Sequence, residues 1–246
     1  WESGYSRQPS AVSGASAAGV IVAGAGRVGC RIAEVLRQLD LPFVLVEIDH
    51  HRIDAARGAG RPVIFGDATD EELLELSERN PGYQFERTAD GRLVVSPTGM
   101  EGGRRSAEVV GQLREWNART GRGVVFDSST GFTLPNGATR SPDAAWIARE
   151  RWNSLSREDQ KHFVPLCPDF VVELLSESDA LPIAQAKMDE WMANGCRLAW
   201  LIDAEGEKAY IYRTGAEVEI VSFEATLSGG DVLPGFAFRL RSLFEI

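Results

Sequence analysis

The chain is 246 residues long, 43% hydrophobic, with a net charge of −10. That length holds one large or two small domains. The acidity excludes strong non-specific binding to nucleic acid through a basic surface, but not a local basic groove. No apolar run approaches the ~20 residues of a membrane helix. Cys30, Cys167 and Cys196 form no CxxC pair, which suits a reducing compartment and excludes a zinc knuckle. With three histidines in the chain, a metal falls to carboxylates, so Mg²⁺ or Mn²⁺ is expected before zinc, copper or iron. The expectation is a cytoplasmic protein without a membrane segment.

Residues 1–18, rich in Ser, Ala and Gly, read as a flexible lead-in. Residues 19–69 alternate strand and helix: Val20–Ala23, a helix over Val28–Leu39, Phe43–Ile48, a helix over His50–Ala59, then Pro62–Phe65. Such alternation predicts a parallel sheet. The pattern changes near Asp70, after which nearly all of the negative charge lies. Glu71–Glu78 reads as a charged helix stopped by Asn80-Pro81-Gly82. Tyr83–Glu86 and Leu93–Ser96 flank Ala89-Asp90-Gly91 as a hairpin. Ser106–Thr120 is a long helix. Val124–Asp127, Gly131–Leu134 and Ala144–Ala148 are strands, with a turn at Asn136-Gly137. A short helical link at Ser156–His162 leads to Phe170–Leu175, a helix over Ile183–Ala193, and strands at Leu198–Asp203, Ala209–Arg213 and Val218–Phe223.

Two stretches carry chemistry. In the first, Gly24-Ala25-Gly26-Arg27-Val28-Gly29 follows an apolar strand and opens a helix. Its glycines permit a tight turn and close approach of backbone N–H groups to a pyrophosphate. Glu47 ends the next strand, where an acid accepts ribose hydroxyls. A tight βα turn that binds nothing has the same appearance.

The second stretch runs from Ser141-Pro142-Asp143 through Pro168-Asp169-Phe170-Val171-Val172-Glu173 to Lys187. Asp143 opens one strand, and Glu173 interrupts the apolar run of another. A lone carboxylate among Val171, Val172, Leu174 and Leu175 is expensive to bury. It persists when paired, protonated or bound to a cation. Lys187 lies four residues from both Ile183 and Trp191, bordering the apolar face of its helix. Two acids and a lysine at a strand end suit a divalent metal that attacks phosphodiesters. Asp143 and Glu173 are the candidate metal ligands, with the Leu174 carbonyl as a third. Lys187 orients water or stabilises charge on phosphorus. Asp169 reads as a strand-start residue. Arg104, Arg105, Arg114, Arg119 and Arg122 either track a phosphate backbone or form a solvated face interleaved with Glu101, Glu108 and Glu115.

VIVAGAGRVGCRIAEVL, VLVEIDHHR and PVIFGDATD, at about residues 19–70, resemble the nucleotide-binding half of TrkA-type regulatory (RCK) domains of potassium transport. The resemblance implies a truncated Rossmann-like βαβαβ unit that takes NAD or ATP through Gly24, Gly26, Gly29, Glu47 and Asp67. It ends after three strands, so weak binding is expected. Residues 71–246 resemble the Uma-two family of restriction-endonuclease-like proteins, in the stretches LLELSERNPGYQFERTADGRLVVSPTG, VVFDSSTGFTLPNGATRSPDAAWI, CPDFVVELLSESD, KMDEWMANGCRLAWLID and DVLPGF. That family is assigned to the PD-(D/E)XK nucleases. The resemblance implies a mixed sheet with flanking helices and Mg²⁺-dependent cleavage of DNA or another nucleic acid. It also implies a role for Glu86, which matches a family glutamate, in completing the metal shell. Leu175 stands where the superfamily lysine is usual, and Lys187 replaces it from the following helix. Dimers are common in the superfamily, and no motif here decides for or against a homodimer. The alternative is an NAD- or ATP-sensing module of potassium transport whose C-terminal half is non-catalytic.

Overall fold

The computed structural model describes residues 20–41, 43–65, 73, 77, 83–91, 93–97, 99–176 and 179–245. The lead-in, Asp67 and most of the helix expected at Glu71–Glu78 lie outside them, although Leu73 and Ser77 are helical. The chain divides into two compact units, residues 1–71 and 72–246.

In the first unit, β1 (Val20–Ala23), β2 (Phe43–Glu47) and β3 (Val63–Phe65) form a parallel sheet in that order. They are joined by α1 (Arg27–Gln38) and α2 (His50–Gly58). Parallel neighbours need such crossovers. Val22, Ala33, Leu45, Ile53, Ala56 and Val63 make the core between helices and sheet. Asp49 starts α2 by accepting the His51 and Arg52 N–H groups, satisfying donors that have no partner within the helix.

The second unit is built on six strands: β6 (Gly123–Asp127), β9 (Ala144–Ala148), β10 (Phe170–Leu175), β11 (Leu198–Asp203), β12 (Lys208–Arg213) and β13 (Glu219–Ser222). Their spatial order is β13-β12-β11-β10-β9-β6. Only β10 and β11 are parallel, and α5 (Leu181–Ala193) joins them. The other pairs are antiparallel, so the sheet is mixed. Both faces are covered, which is why the central strands read as unbroken apolar runs. On one face α3 (Met100–Thr120) sets Val109, Leu113 and Trp116 against Trp146, Phe170, Val172 and Trp200. On the other, α5 sets Met188 and Trp191 against Ala145, Val171, Ala199 and Leu201.

A smaller sheet carries Glu86. It runs β5 (Leu93–Pro97), β4 (Tyr83–Arg87), β8 (Thr139–Arg140) and β7 (Phe132–Thr133). A two-stranded sheet, β14 (Thr226–Ser228) with β15 (Ala237–Arg239), closes over the α3 side of the core through Leu227 and Phe238.

Several elements depart from the sequence reading. Helix α3 begins at Met100 rather than Ser106. Gly102 and Gly103 disguise its first turns because glycine is a poor helix former, while Glu101 pairs with Arg104 and Arg105 across them. The link expected at Ser156–His162 shrinks to a 3₁₀ turn at Asp159–Lys161, and α4 (Arg149–Asn153) precedes it. Strands β8, β14 and β15 hold two or three residues each, too few for a period-2 pattern to show.

Candidate active site

The register of β9 on β10 sets Trp146 opposite Phe170, Ala145 opposite Val171, and Ala144 opposite Val172. Continued by one residue, it sets Asp143 opposite Glu173, at the end where both strands leave the core. Side chains alternate along a strand, so Glu173 follows Val171 onto the face that α5 covers. Asp143 is fixed by the N–H of Leu174, which donates to its Oδ2 at 2.7 Å. Its own carbonyl accepts from Ser106 Oγ on α3 at 2.9 Å.

Helix α5 presents two donors one turn apart. Lys187 Nζ lies 2.8 Å from Glu173 Oε1 and 2.9 Å from Oε2, and Trp191 Nε1–H donates to Oε1 at 2.9 Å. Lys187 Nζ also lies 2.8 Å from Glu86 Oε1. The ammonium is therefore shared by two buried carboxylates from different sheets. Glu86 accepts the Ser141 N–H at 2.8 Å and pairs with Arg140 Nη1 at 3.3 Å. Arg140 Nε reaches Glu190 Oε2 on α5 at 2.5 Å.

The electrostatics divide the three acids. Burial pushes the Glu173 carboxyl up to about 7; Lys187 pulls the other way, while the charges of Glu86 and Asp143 add to the rise. Burial likewise takes Asp143 up to about 6, against the Leu174 amide and Lys187, with Glu86 and Asp179 adding to it. Burial acts on Glu86 too, but Lys187, Arg140 and the Ser141 amide outweigh it and hold the carboxyl below its usual range. For Lys187 burial favours the neutral amine, and Glu173 and Glu86 more than reverse this, so it stays an ammonium.

Sequence-predicted residues are therefore sorted as follows. Glu173 and Lys187 touch, Asp143 sits across the strand end from them, and Glu86 joins through Lys187. Both oxygens of Glu86, expected to complete a metal shell, meet Lys187, Arg140 and Ser141, just as both oxygens of Glu173 meet Lys187. Among the described residues no three His, Cys, Asp or Glu side chains gather as a metal-binding group. The candidate oxygen donors remain Asp143, Glu173, the Leu174 carbonyl and Glu86. Oxygen-only donors, three of them acids whose charge burial opposes, fit a hard divalent cation. Asp169 stands at the other end of β10, where it binds the Ala148 N–H at 2.8 Å and Arg151 at 2.9 Å. Most of the α3 arginines are paired: Arg104 and Arg105 with Glu101, Arg119 with Glu115. The sequence reading missed Arg140, Glu190 and the Trp191 N–H as partners of the site. The available signal for Arg140 was its place three residues before Asp143.

In the first unit the glycine loop has the expected backbone. Gly24 takes a φ of 86°, open to glycine at no steric cost. A Cβ on Gly29 would strike the Gly24 carbonyl, so α1 packs closely only with glycine there. A Cβ on Gly26 would come no nearer than 3.8 Å to Arg52 Nη1. Glu47 is buried, with Oε2 accepting the Ala25 N–H at 2.7 Å and Oε1 the Ile48 and Asp49 N–H groups at 3.0 and 3.1 Å. Its carboxylate braces the loop it was expected to serve as a ribose acceptor.

The family model Uma2, described as "Putative restriction endonuclease", matches residues 70–241. The chain belongs to the Uma2 family. The fold of this chain is similar to that of a crystal structure described as "a putative nuclease belonging to DUF820" from Anabaena variabilis ATCC 29413. That structure aligns with a TM-score of 0.57 at 17% identity, over 70% of this chain and 96% of that one. A TrkA-N domain model matches residues 20–78, overlapping the Uma2 match at 70–78. Curated proteins similar to this chain include "Putative cation/proton antiporter YbaL" of Escherichia coli K12, 30% identical over 97 residues, and "K(+) efflux antiporter 1, chloroplastic" of Arabidopsis thaliana, 40% identical over 55 residues. The matches cover 39% and 22% of this chain but only 15% and 5% of those proteins. Among the described residues no helix is long and apolar enough to cross a membrane.

Proposed function

We propose that the Uma2 unit hydrolyses phosphodiester bonds of nucleic acid with a divalent cation, Mg²⁺ or Mn²⁺, as cofactor. The observation that carries this reading is the pair of strand-end acids, Asp143 and Glu173, held above the usual carboxylate range by burial beside one charged lysine. Uncompensated, such a pair weakens the fold; a cation compensates it. Asp143 and Glu173 would hold the cation, joined by the Leu174 carbonyl. Bound there, it supplies positive charge to a phosphate oxygen and brings water within reach of deprotonation at neutral pH. Lys187 keeps its proton and offers a second positive charge to the phosphate as negative charge builds on it. Glu86, gripped by Arg140 and Ser141, holds Lys187 at the site, and Trp191 holds Glu173.

The test compares Mn²⁺ binding and plasmid cleavage for wild type, Asp143→Asn and Lys187→Ala. Asp143→Asn is expected to lose both, and Lys187→Ala to lose cleavage while keeping the metal. A wild type that binds no metal and cuts no DNA or RNA, or an Asp143→Asn variant that cuts normally, defeats the assignment.

The TrkA-N match supports a second reading, NAD- or ATP-sensing regulation of potassium transport. Three described strands and a Glu47 already bound to backbone amides favour weak or no nucleotide binding. Micromolar affinity by calorimetric titration, abolished in Gly26→Val, would favour the regulatory reading instead.

A further inference from the structure

At the end of β9 remote from Asp143, about 17 Å along the strand at ~3.3 Å per residue, the surface opens into a groove of about 430 Å³. Three arginines from three parts of the chain line it: Arg122 after α3, Arg149 after β9, and Arg197 before β11. The backbone brings the first two together, because the Arg149 N–H donates to the Arg122 carbonyl at 2.8 Å. The Arg149 guanidinium lies over Gly121, 3.8 Å from where a Cβ would stand.

The side chains of Arg122 and Arg149 have no ion pair or hydrogen bond among the described residues, unlike Arg104, Arg105 and Arg119 on α3. Arg197 reaches only the buried Asp169 carboxylate, at 3.8 Å, and that oxygen already binds Arg151 at 2.9 Å. Glu150 and Asp231 also line the groove, and neither pairs with these arginines. Three exposed guanidinium groups thus line one groove with two acids that do not pair with them. An anion with several acceptor oxygens matches the planar guanidinium fork.

We propose that this groove is a phosphate-binding site, separate from the carboxylate site, whose ligand is a phosphate ester. The ester belongs either to a nucleic-acid strand or to a free nucleotide. The proposal does not rest on the nuclease reading, since none of its residues belongs to that site.

The test is titration of the metal-free full chain with inorganic phosphate, thymidine monophosphate and a short oligothymidylate. Wild type is compared with Arg122→Gln/Arg149→Gln, with Arg197→Gln as a second, single variant. Both are expected to fold as wild type by circular dichroism and to lose about tenfold or more in phosphate affinity, while Glu173→Gln binds phosphate as wild type does. An oligonucleotide that binds much tighter than the mononucleotide, with a steep salt dependence, identifies a strand as the source. Equal affinities identify the free nucleotide. Phosphate that binds wild type and arginine variants alike, or that fails to bind wild type at ~10 mM, overturns the proposal. The arginines then serve only the carbonyl end of α3.

Discussion

Asp143 shows how one residue's environment becomes a measurable property. Burial pushes its carboxyl up to about 6, against ~3.9 in an unfolded chain. A group with a raised folded pKa stabilises the fold most below its unfolded pKa, and that contribution disappears as pH climbs through the folded value. Asp143→Asn removes the penalty of ionisation while its amide oxygen still accepts the Leu174 N–H. The variant should therefore be more stable than wild type at pH 8, by on the order of 1–3 kcal/mol, and the two should converge near pH 4. Thermal unfolding across that pH range is the measurement. Mn²⁺ at pH 8 should raise the wild-type melting temperature and leave the variant's unchanged. A variant less stable than wild type at pH 8 would show that charge at this position is not what the fold opposes.

At the scale of the element, α5 does two things with one face. Met188 and Trp191 pack into the core, while Lys187 and the Trp191 N–H, one turn apart, both close on Glu173. The apolar period of Ile183–Ala193 revealed the helix, and the spacing of Lys187 from Ile183 and Trp191 set the lysine at the border of the buried face. That Trp191 is also a hydrogen-bond donor to the acid was not legible, because an indole N–H has no sequence period. Trp191→Phe keeps an aromatic ring and removes the donor. It should cost about 1–3 kcal/mol in urea unfolding, and raise the pH at which Glu173 titrates. An unchanged urea midpoint would mean that the Trp191–Glu173 bond contributes nothing. Strand β8 is the opposite case. Two residues long, it escapes pattern reading, yet it carries Arg140, which connects Glu86 to α5 through Glu190.

For the whole molecule, the division into residues 1–71 and 72–246 gives each unit its own buried cluster. The second unit encloses its main sheet on both faces, so it should fold without the first. A chain lacking residues 1–71 should remain soluble and unfold in one cooperative transition by calorimetry, with Mn²⁺ binding intact. Aggregation or a non-cooperative melt would show that the first unit is part of the second unit's stability.

By itself the sequence determined the longer strands and helices and several of the polar residues that stand out of place. Glu173 inside an apolar run, Asp143 at a strand start and the glycine loop after β1 were visible because a buried charge or a needed positive φ contradicts its local pattern. Tertiary structure alone decided how those residues are spent. Glu86 meets Lys187, Arg140 and the Ser141 amide, Glu47 meets the amides of its own loop, and Arg122 lines a groove. Those outcomes depend on which groups packing sets within reach of one another across sheets and helices. Hydrogen bonds and ion pairs act over about 3 Å, and only packing brings residues 54 or 101 positions apart, such as Glu86 with Arg140 or with Lys187, within that reach.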